Sequence, residues 1–455
     1  MKTSHLLIAL HTLMGTLLAV QGQTNLFRGY TKQRDGLIDD VPTVTLSNDR
    51  EMPLIGLGVG NLQANRVENM IYEGLKAENK VRLIDTAHAS FNEKEVAKGI
   101  TTGVKRFKNS EKLDGRVQVH VVTKIWYTYL GYERTKLSVR ESLEALGEAI
   151  KDPDVDLKVH FLIHWPRCYE GIEWMNCEQE EIDLPAVVKK AGPSPLHDKN
   201  AWKESWKALE DMYISSDYPV IASIGVSNFD SEELDGLVQS ARVPPHMIQM
   251  NVWSLLNNPH LVEVCNRSNI HIQVFNVMNG VLRNALATPH ANHHLLEVAN
   301  ELGKESESSI DVKVPQVVLK WLVQYGISII PRTSNLDRLT ENSAVSLSKI
   351  PKISDNRVDD VGRMIKAMLN RNDVEDDSYV KVTFHAKNQD MFLYFVPEND
   401  ENGIQISYIS KGDKHEERTH PRHKFRIYNA YDPDVYHEHT VQGSYGDHHH
   451  VHVEL

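Results

Sequence analysis

From Thr43 onward the chain alternates short apolar runs with amphipathic stretches, and eight such runs follow one another. They cover residues 54–59, 83–87, 117–125, 159–165, 221–228, 247–252, 270–277 and 328–332. Between them apolar side chains recur at intervals of three and four. Leu137, Leu143 and Leu146 do so in one stretch, and Trp202, Trp206, Leu209 and Met212 in another, which is the spacing of a helix buried on one face. Near-continuous apolar strands separated by amphipathic helices imply a parallel sheet covered by helices. Eight units predict a (β/α)8 TIM barrel, with a doubly wound sheet as the alternative. No Gly-x-Gly-x-x-Gly follows the first run, which disfavours that alternative. Residues 43–46 and 51–53, joined across Ser47-Asn48-Asp49, predict a hairpin plugging the base of the barrel.

The chain is 455 residues long, more than one barrel needs. After a helical pattern at 358–369 it turns polar and acidic, and then its texture changes. Runs at 379–384, 391–396, 404–409, 424–428 and 435–441 are short, alternating and separated by turn residues, which predicts a small all-β sandwich. The expected organisation is a leader over 1–22, the barrel over 23–372, a linker over 373–378 and the β-module over 379–455. Ten of the 23 histidines follow residue 380, with His437, His439, His448, His449, His450 and His452 in the tail. No cysteine joins them and no ligand spacing repeats, so they predict a polar edge strand and tail, and no metal ligand is assigned.

The first residues have a different character. Lys2 precedes an apolar stretch, Leu6 to Val20, and small residues lead to Gly22, the pattern of a cleaved secretory signal. The final His452-Val453-Glu454-Leu455 resembles an endoplasmic reticulum retrieval tetrapeptide. The expected location is the lumen of the endoplasmic reticulum, with plain secretion as the alternative. Cys168 and Cys177 are close enough in sequence to pair in an oxidising lumen, and Cys265 fits a helix core. A net charge of −12 argues against nucleic acid as a partner, and no later apolar run is long enough to span a bilayer.

In a parallel barrel the working side chains project from the C-terminal ends of the strands. Those ends carry Asp85, Lys124 and His164 on three consecutive strands. Each alone suits an ordinary structural role; a carboxylate, an ammonium and an imidazole on one rim together form a candidate site.

Six segments then recur in order: Met-Pro-Leu-Ile-Gly-Leu-Gly (52–58), Leu-Ile-Asp-Thr-Ala (83–87) with Asn92-Glu93, Thr123-Lys124, Leu-Ile-His-Trp-Pro (162–166), Gly-Val-Ser-Asn-Phe (225–229) and Ile-Pro-Arg (330–332). Over residues 43–370 the chain resembles the aldo-keto reductase family. The resemblance implies a barrel that binds NADP(H) and reduces carbonyl compounds with an Asp, Tyr, Lys and His set. The Lys–Asp pair acidifies the tyrosine, which protonates the carbonyl oxygen, and the His orients the carbonyl. Asp85, Lys124 and His164 match. Ser90 stands where the tyrosine is expected, five residues after Asp85 and in a register set by Asn92-Glu93. An aliphatic hydroxyl is a far weaker acid than a phenol, and loss of a positioned acid removes about 10²–10⁴ in rate. His164, His88 and a water on Ser90 are the conceivable substitutes.

By the same resemblance Ser227, Asn228 and Gln249 hold the nicotinamide carboxamide, and Arg332, Thr333, Arg338, Glu341 and Asn342 hold the adenosine end with its 2′-phosphate. Arg338, Glu341 and Asn342 also suit a capped helix start. Asn276 falls where the family stacks an aromatic on the nicotinamide; Phe275 is one residue away, on the other face of its strand. Two functional expectations follow: a carbonyl oxidoreductase with altered proton delivery, or a catalytically quiet barrel that binds nucleotide or protein. The β-module is faintly similar to the β-domain of the von Hippel–Lindau protein through Thr419-His420-Pro421-Arg422-His423-Lys424-Phe425, which implies a peptide or protein partner.

Overall fold

The computed structural model describes residues 37–38, 41–172, 174–278, 280–371, 380–397, 403–442 and 448–453. The expected leader, the linker at 373–378 and the last two residues of the tetrapeptide lie outside them. The chain forms two compact units, one from residues up to 279 with 298–359, the other from 280–297 with 360–455.

The first unit is the eight-stranded parallel barrel. Its strands are β1 (Leu57–Gly58), β2 (Leu83–Asp85), β3 (Val117–Ile125), β4 (Val155–Ile163), β5 (Ile221–Ser227), β6 (Met247–Asn251), β7 (His271–Phe275) and β8 (Ser328–Ile329), hydrogen-bonded in sequence order. Parallel bridges Ile55–Ile329 and Gly58–Arg332 join the last strand to the first and close the cylinder. Gly225 in β5 sits where a Cβ would lie 2.3 Å from the Met247 carbonyl oxygen, so the β5–β6 approach admits no side chain there. The hairpin Val41–Thr45/Glu51–Pro53 pairs Thr43 with Pro53. Its turn is tied to the start of β5 by Asn48, whose Nδ2 donates to the Ala222 carbonyl at 2.9 Å.

Helix Ala201–Ile214 buries Trp202, Trp206, Leu209 and Met212 as the spacing predicted. Helix Tyr132–Ala145 differs. Its buried face is Arg134, Thr135, Ser138, Val139 and Ser142, with Leu137 and Leu143 only partly covered. Arg134 explains the rotation, because its guanidinium pairs bidentately with Glu181 at 2.9 Å and donates to the Thr128 carbonyl. Strand β4 begins four residues earlier than its apolar run. Asp156 and Lys158, ion-paired at 3.0 Å, alternate there with buried Val155 and Leu157 and mask the strand.

The second unit carries seven strands: β9 (Val380–Ala386), β10 (Met391–Val396), β11 (Ile404–Ile409), β12 (Lys414–Thr419), β13 (Lys424–Asn429), β14 (Asp432–Thr440) and β15 (His448–Val453). They form a three-stranded sheet β12-β9-β15 and a four-stranded sheet β11-β10-β13-β14. Val382, Phe384, Leu393, Phe425 and Ile427 lie in its core. Two strands were not predicted. Strand β12 is Lys-His-Glu-Glu-Arg-Thr and has no apolar alternation to read. Strand β15 was expected as a tail, yet it pairs in parallel with β9 and buries Val451 and Val453 in alternation with exposed His450 and His452.

Candidate active site

The C-terminal ends of the barrel strands converge on Lys124. Its ammonium donates to Asp85 Oδ1 at 2.9 Å, Asp85 Oδ2 at 2.8 Å and the Thr86 carbonyl at 2.6 Å. The two oxygens of one carboxylate lie too close together to take separate hydrogens of a tetrahedral ammonium, so Asp85 and Thr86 between them engage two of the three. Both partners are buried. Burial raises the Asp85 pKa, and the Lys124 charge and hydrogen bonds only partly counter that rise. Gln249 completes the cluster by donating to Asp85 Oδ2 and to Gln273 Oε1, each at 2.7 Å.

His164 follows β4 directly. Its backbone carbonyl accepts from Asn228 Nδ2 at 3.0 Å, and its Nδ1 is buried with no hydrogen-bond partner among the described residues. Burial, and then the Lys124 charge, hold the imidazole pKa well below 6.5. The ring is therefore neutral at physiological pH; it can orient a carbonyl by a hydrogen bond but does not carry a spare proton.

Ser90 ends a one-turn 3₁₀ segment, His88–Ser90, after β2. Thr86 Oγ1 donates to Asn92 Oδ1 at 2.5 Å and Asn92 Nδ2 to the Val59 carbonyl at 3.0 Å, which fixes the loop. Thr123 Oγ1 donates to Glu93 at 2.6 Å from the β3 side. Within that frame Ser90 Oγ faces Gly60, 3.4 Å from where a Cβ on that glycine would stand, and makes no hydrogen bond to Lys124. His88 is turned to Glu141, with Nε2 at 2.9 Å from its carboxylate and its ring edge-on to Tyr129. The nearby phenols are not acidified either. Burial, then Glu141, push Tyr129 up to about 12, and burial and Glu180 push Tyr127 up as well.

Ser227 and Asn228 stand at the end of β5, with Asn228 in the left-handed region at φ 59°. Asn228 Nδ2 also donates to Ser227 Oγ at 3.1 Å. What remains is a Ser227 proton to donate and two amide oxygens, Asn228 Oδ1 and Gln249 Oε1, to accept, a set matching a primary carboxamide. Beyond β8, Arg332 is exposed and donates to the Gly60 carbonyl at 3.3 Å, while Thr333 is buried and bonds within its own turn to Asn335. Arg338 is exposed in the first turn of helix Leu336–Glu341, and neither arginine has a carboxylate partner among the described residues. Glu341 is ion-paired with Lys313, and Asn342 closes the helix, so these two serve the helix and its neighbour. Asn276 is exposed at φ 54° just after β7, and Phe275 remains within the strand opposite Asn251.

The sequence reading missed an aromatic wall beside His164. Trp126 meets the His164 ring edge-on at 5.0 Å, Trp174 lies 6.2 Å from Trp126, and Trp165 lies 5.7 Å from Trp174. The loop bearing Trp174 is closed by a Cys168–Cys177 disulfide, and Trp126 Nε1 donates to Glu180 Oε2 at 2.6 Å. The signal was present: Trp126 follows Lys124 by two residues and Trp165 follows His164 by one, both just beyond strand ends.

Residues 56–363 match the model of the Aldo/keto reductase family. The 9,11-endoperoxide prostaglandin H2 reductase of Trypanosoma cruzi is 30% identical over 329 residues, covering 70% of this chain and 90% of that protein. The NADPH-dependent aldose reductase GRE3 of Saccharomyces cerevisiae is 29% identical over 304 residues, covering 66% and 86%. Among solved structures, the aldo-keto reductase MGS-M4 from a deep-sea metagenome library superposes with a TM-score of 0.51 at 25% identity, covering 73% of this chain and 96% of that one. A Bombyx mori aldo-keto reductase in complex with NADP gives 0.52 at 21% identity, covering 71% and 92%, a likeness of fold.

Proposed function

Because the chain belongs to the aldo-keto reductase family, we propose that it is a barrel for NADP(H) and small carbonyl compounds whose proton delivery is impaired at Ser90. The observation that carries this reading is that the buried Lys124–Asp85 pair is in place while Ser90 makes no hydrogen bond to Lys124. The arrangement that would acidify a phenol is intact, but the hydroxyl at its focus is absent.

The residues fit the cofactor at two of three points. Ser227, Asn228 and Gln249 present the hydrogen-bonding complement of a carboxamide, and Arg332 and Arg338 present guanidiniums for a phosphate. Asn276 supplies no stacking face. When bound, the nicotinamide supplies a hydride to the carbonyl carbon. His164 orients the carbonyl through a neutral imidazole, and the Trp126, Trp165 and Trp174 wall holds an apolar substrate body and excludes water. The names of the relatives as NADPH- or NAD(P)H-dependent reductases support the same cofactor class. The missing stacking face favours a second reading, a quiet nucleotide- or protein-binding barrel. The leader pattern and final tetrapeptide support residence in the endoplasmic reticulum lumen, and the Cys168–Cys177 bridge suits an oxidising compartment.

The test is NADPH titration by protein fluorescence, followed by reduction of small aldehydes by the native chain and by Ser90→Tyr. Binding with turnover raised about 10²-fold or more by Ser90→Tyr is the expected result. Absence of NADPH binding, or native turnover equal to that of Ser90→Tyr, would overturn the proposal.

A further inference from the structure

The second unit holds a cluster of imidazoles around one carboxylate, Glu297. Helix Pro289–Glu305 carries His293, His294 and Glu297. Positions 293 and 297 are one turn apart and share a helix face. The turn between β12 and β13 carries Thr419-His420-Pro421-Arg422-His423. It is tight: Arg422 takes φ 74°, its N–H donates to the Val441 carbonyl at 2.7 Å, and the His423 N–H donates back to the His420 carbonyl at 3.2 Å. This turn brings His423 to the helix. Its Nε2 lies 3.2 Å from Glu297 Oε1, and His293 Nε2 lies 3.4 Å from the same oxygen.

We propose that His293, Glu297 and His423 form a binding site for one divalent transition-metal ion of the zinc class. The ligand atoms of the three lie within 4.8 Å of one another. A tetrahedral ion with arms of about 2.0–2.1 Å separates its ligands by about 3.3–3.4 Å, close to the spacing observed. The same spacing is long for hydrogen bonds, whose N···O distances centre near ~2.9–3.0 Å. His423 is also held as metal-bound histidines are. Its Nδ1 lies 2.9 Å from the Oγ1 of buried Thr419, which orients the ring and leaves Nε2 toward Glu297. Phe395 packs against His423 with ring centroids 4.9 Å apart and planes tilted by 55°, and walls one side. His293 and Glu297 are 49% and 35% exposed, so an ion has an entry path and room for a water as fourth ligand. Buried His294 and His420 form a second triad with the same Glu297. Their rings are 5.3 Å apart and His420 is 5.2 Å from His423, which places two further imidazoles behind the site.

The exposed histidines of β15 would bind metal weakly on their own account, so the test uses the full chain with His448, His450 and His452 each changed to Gln. Zinc affinity is measured in that background by competition with a chromophoric chelator, and Co2+ is added to read its visible ligand-field absorption. One tight site with a tetrahedral cobalt spectrum is expected. Glu297→Gln and His423→Ala should each weaken it by at least ~100-fold, and Thr419→Val by about 10–100-fold, the usual effect of removing a group behind a ligand. Far-ultraviolet circular dichroism confirms that each variant is folded, and the near-isosteric Glu297→Gln decides the matter if His423→Ala is not. Unchanged affinity in a folded Glu297→Gln variant, or an octahedral cobalt spectrum insensitive to all three changes, would overturn the proposal.

Discussion

Replacing Lys124 by Met should destabilise the barrel strongly and in a pH-dependent way. The substitution keeps most of the side-chain volume but removes the donor that satisfies both Asp85 oxygens and the Thr86 carbonyl in a buried setting. Breaking one side of a buried ion pair costs about 3–5 kcal/mol, because the remaining charge is left without compensation. At roughly 2–4 °C per kcal/mol for a domain of this size, that is a fall in Tm of roughly 6–20 °C at pH 7. Burial already holds the Asp85 pKa above its ordinary 3.8, and losing Lys124 removes the main opposing influence. The sign follows. A group whose folded-state pKa is raised favours the folded state below its unfolded pKa and loses that contribution as pH rises through the folded value. The deficit of Lys124→Met should therefore be largest at neutral pH and shrink on acidification, as Asp85 takes up a proton and keeps Gln249 as a partner. Adding Asp85→Asn removes the stranded charge, so the double variant should be at least ~2 kcal/mol more stable than the sum of the single effects. Tryptophan fluorescence is a clean assay, because all seven tryptophans, from Trp126 to Trp321, belong to the barrel unit and report its unfolding alone. A loss under ~1 kcal/mol at pH 7, or strict additivity in the double variant, would refute the reasoning.

Gly225→Ala should destabilise the barrel by about 1–3 kcal/mol in the same assay, since the added methyl meets the Met247 carbonyl at 2.3 Å, a backbone atom fixed by the strand, besides Leu162 Cδ2 at 2.7 Å. Removing the Cys168–Cys177 bridge by paired serine substitutions releases a loop closed across nine residues and should lower stability by about 2–3 kcal/mol, with earlier proteolytic cutting around Trp174. Any carbonyl reduction by the native chain should show no pH limb near 6.5 attributable to His164, because burial and Lys124 keep that ring neutral; such a limb, abolished by His164→Ala, would contradict the assignment. Arg332→Ala with Arg338→Ala should weaken NADPH binding at least ~10-fold while leaving NADH binding nearly unchanged, since only the former carries the 2′-phosphate.

Much of the barrel was legible in the chain because its rules are local. A parallel strand buried on both faces must be apolar, its helix must alternate at three and four, and the working residues must follow the strand ends. Asp85, Lys124 and His164 were found in this way, Ser227 and Asn228 through the family resemblance, and all five follow or end barrel strands. Where polar groups are covered or paired across elements, the local rule fails. Arg134 turned its helix toward Glu181, and Asp156 with Lys158 hid the first residues of β4. The strand of charged residues at Lys414–Thr419 and the histidine strand at His448–Val453 were invisible for a related reason. Each gains its place by pairing with Val380–Ala386, more than 25 residues away in sequence.

The sequence, through its resemblance to the family, puts Ser90 where a phenol is expected, because position is a matter of counting from Asp85 to Asn92-Glu93. Only the tertiary structure decided what surrounds Ser90. Lys124 is held by Asp85 and Thr86, His88 is held by Glu141, and neither Tyr127 nor Tyr129 is acidified. Charge, burial and direction at a site are set by groups that the fold brings from many strands, and no local pattern records them. The same holds for Glu297 and His423, separated by 126 residues and joined only where a helix and a β-turn meet.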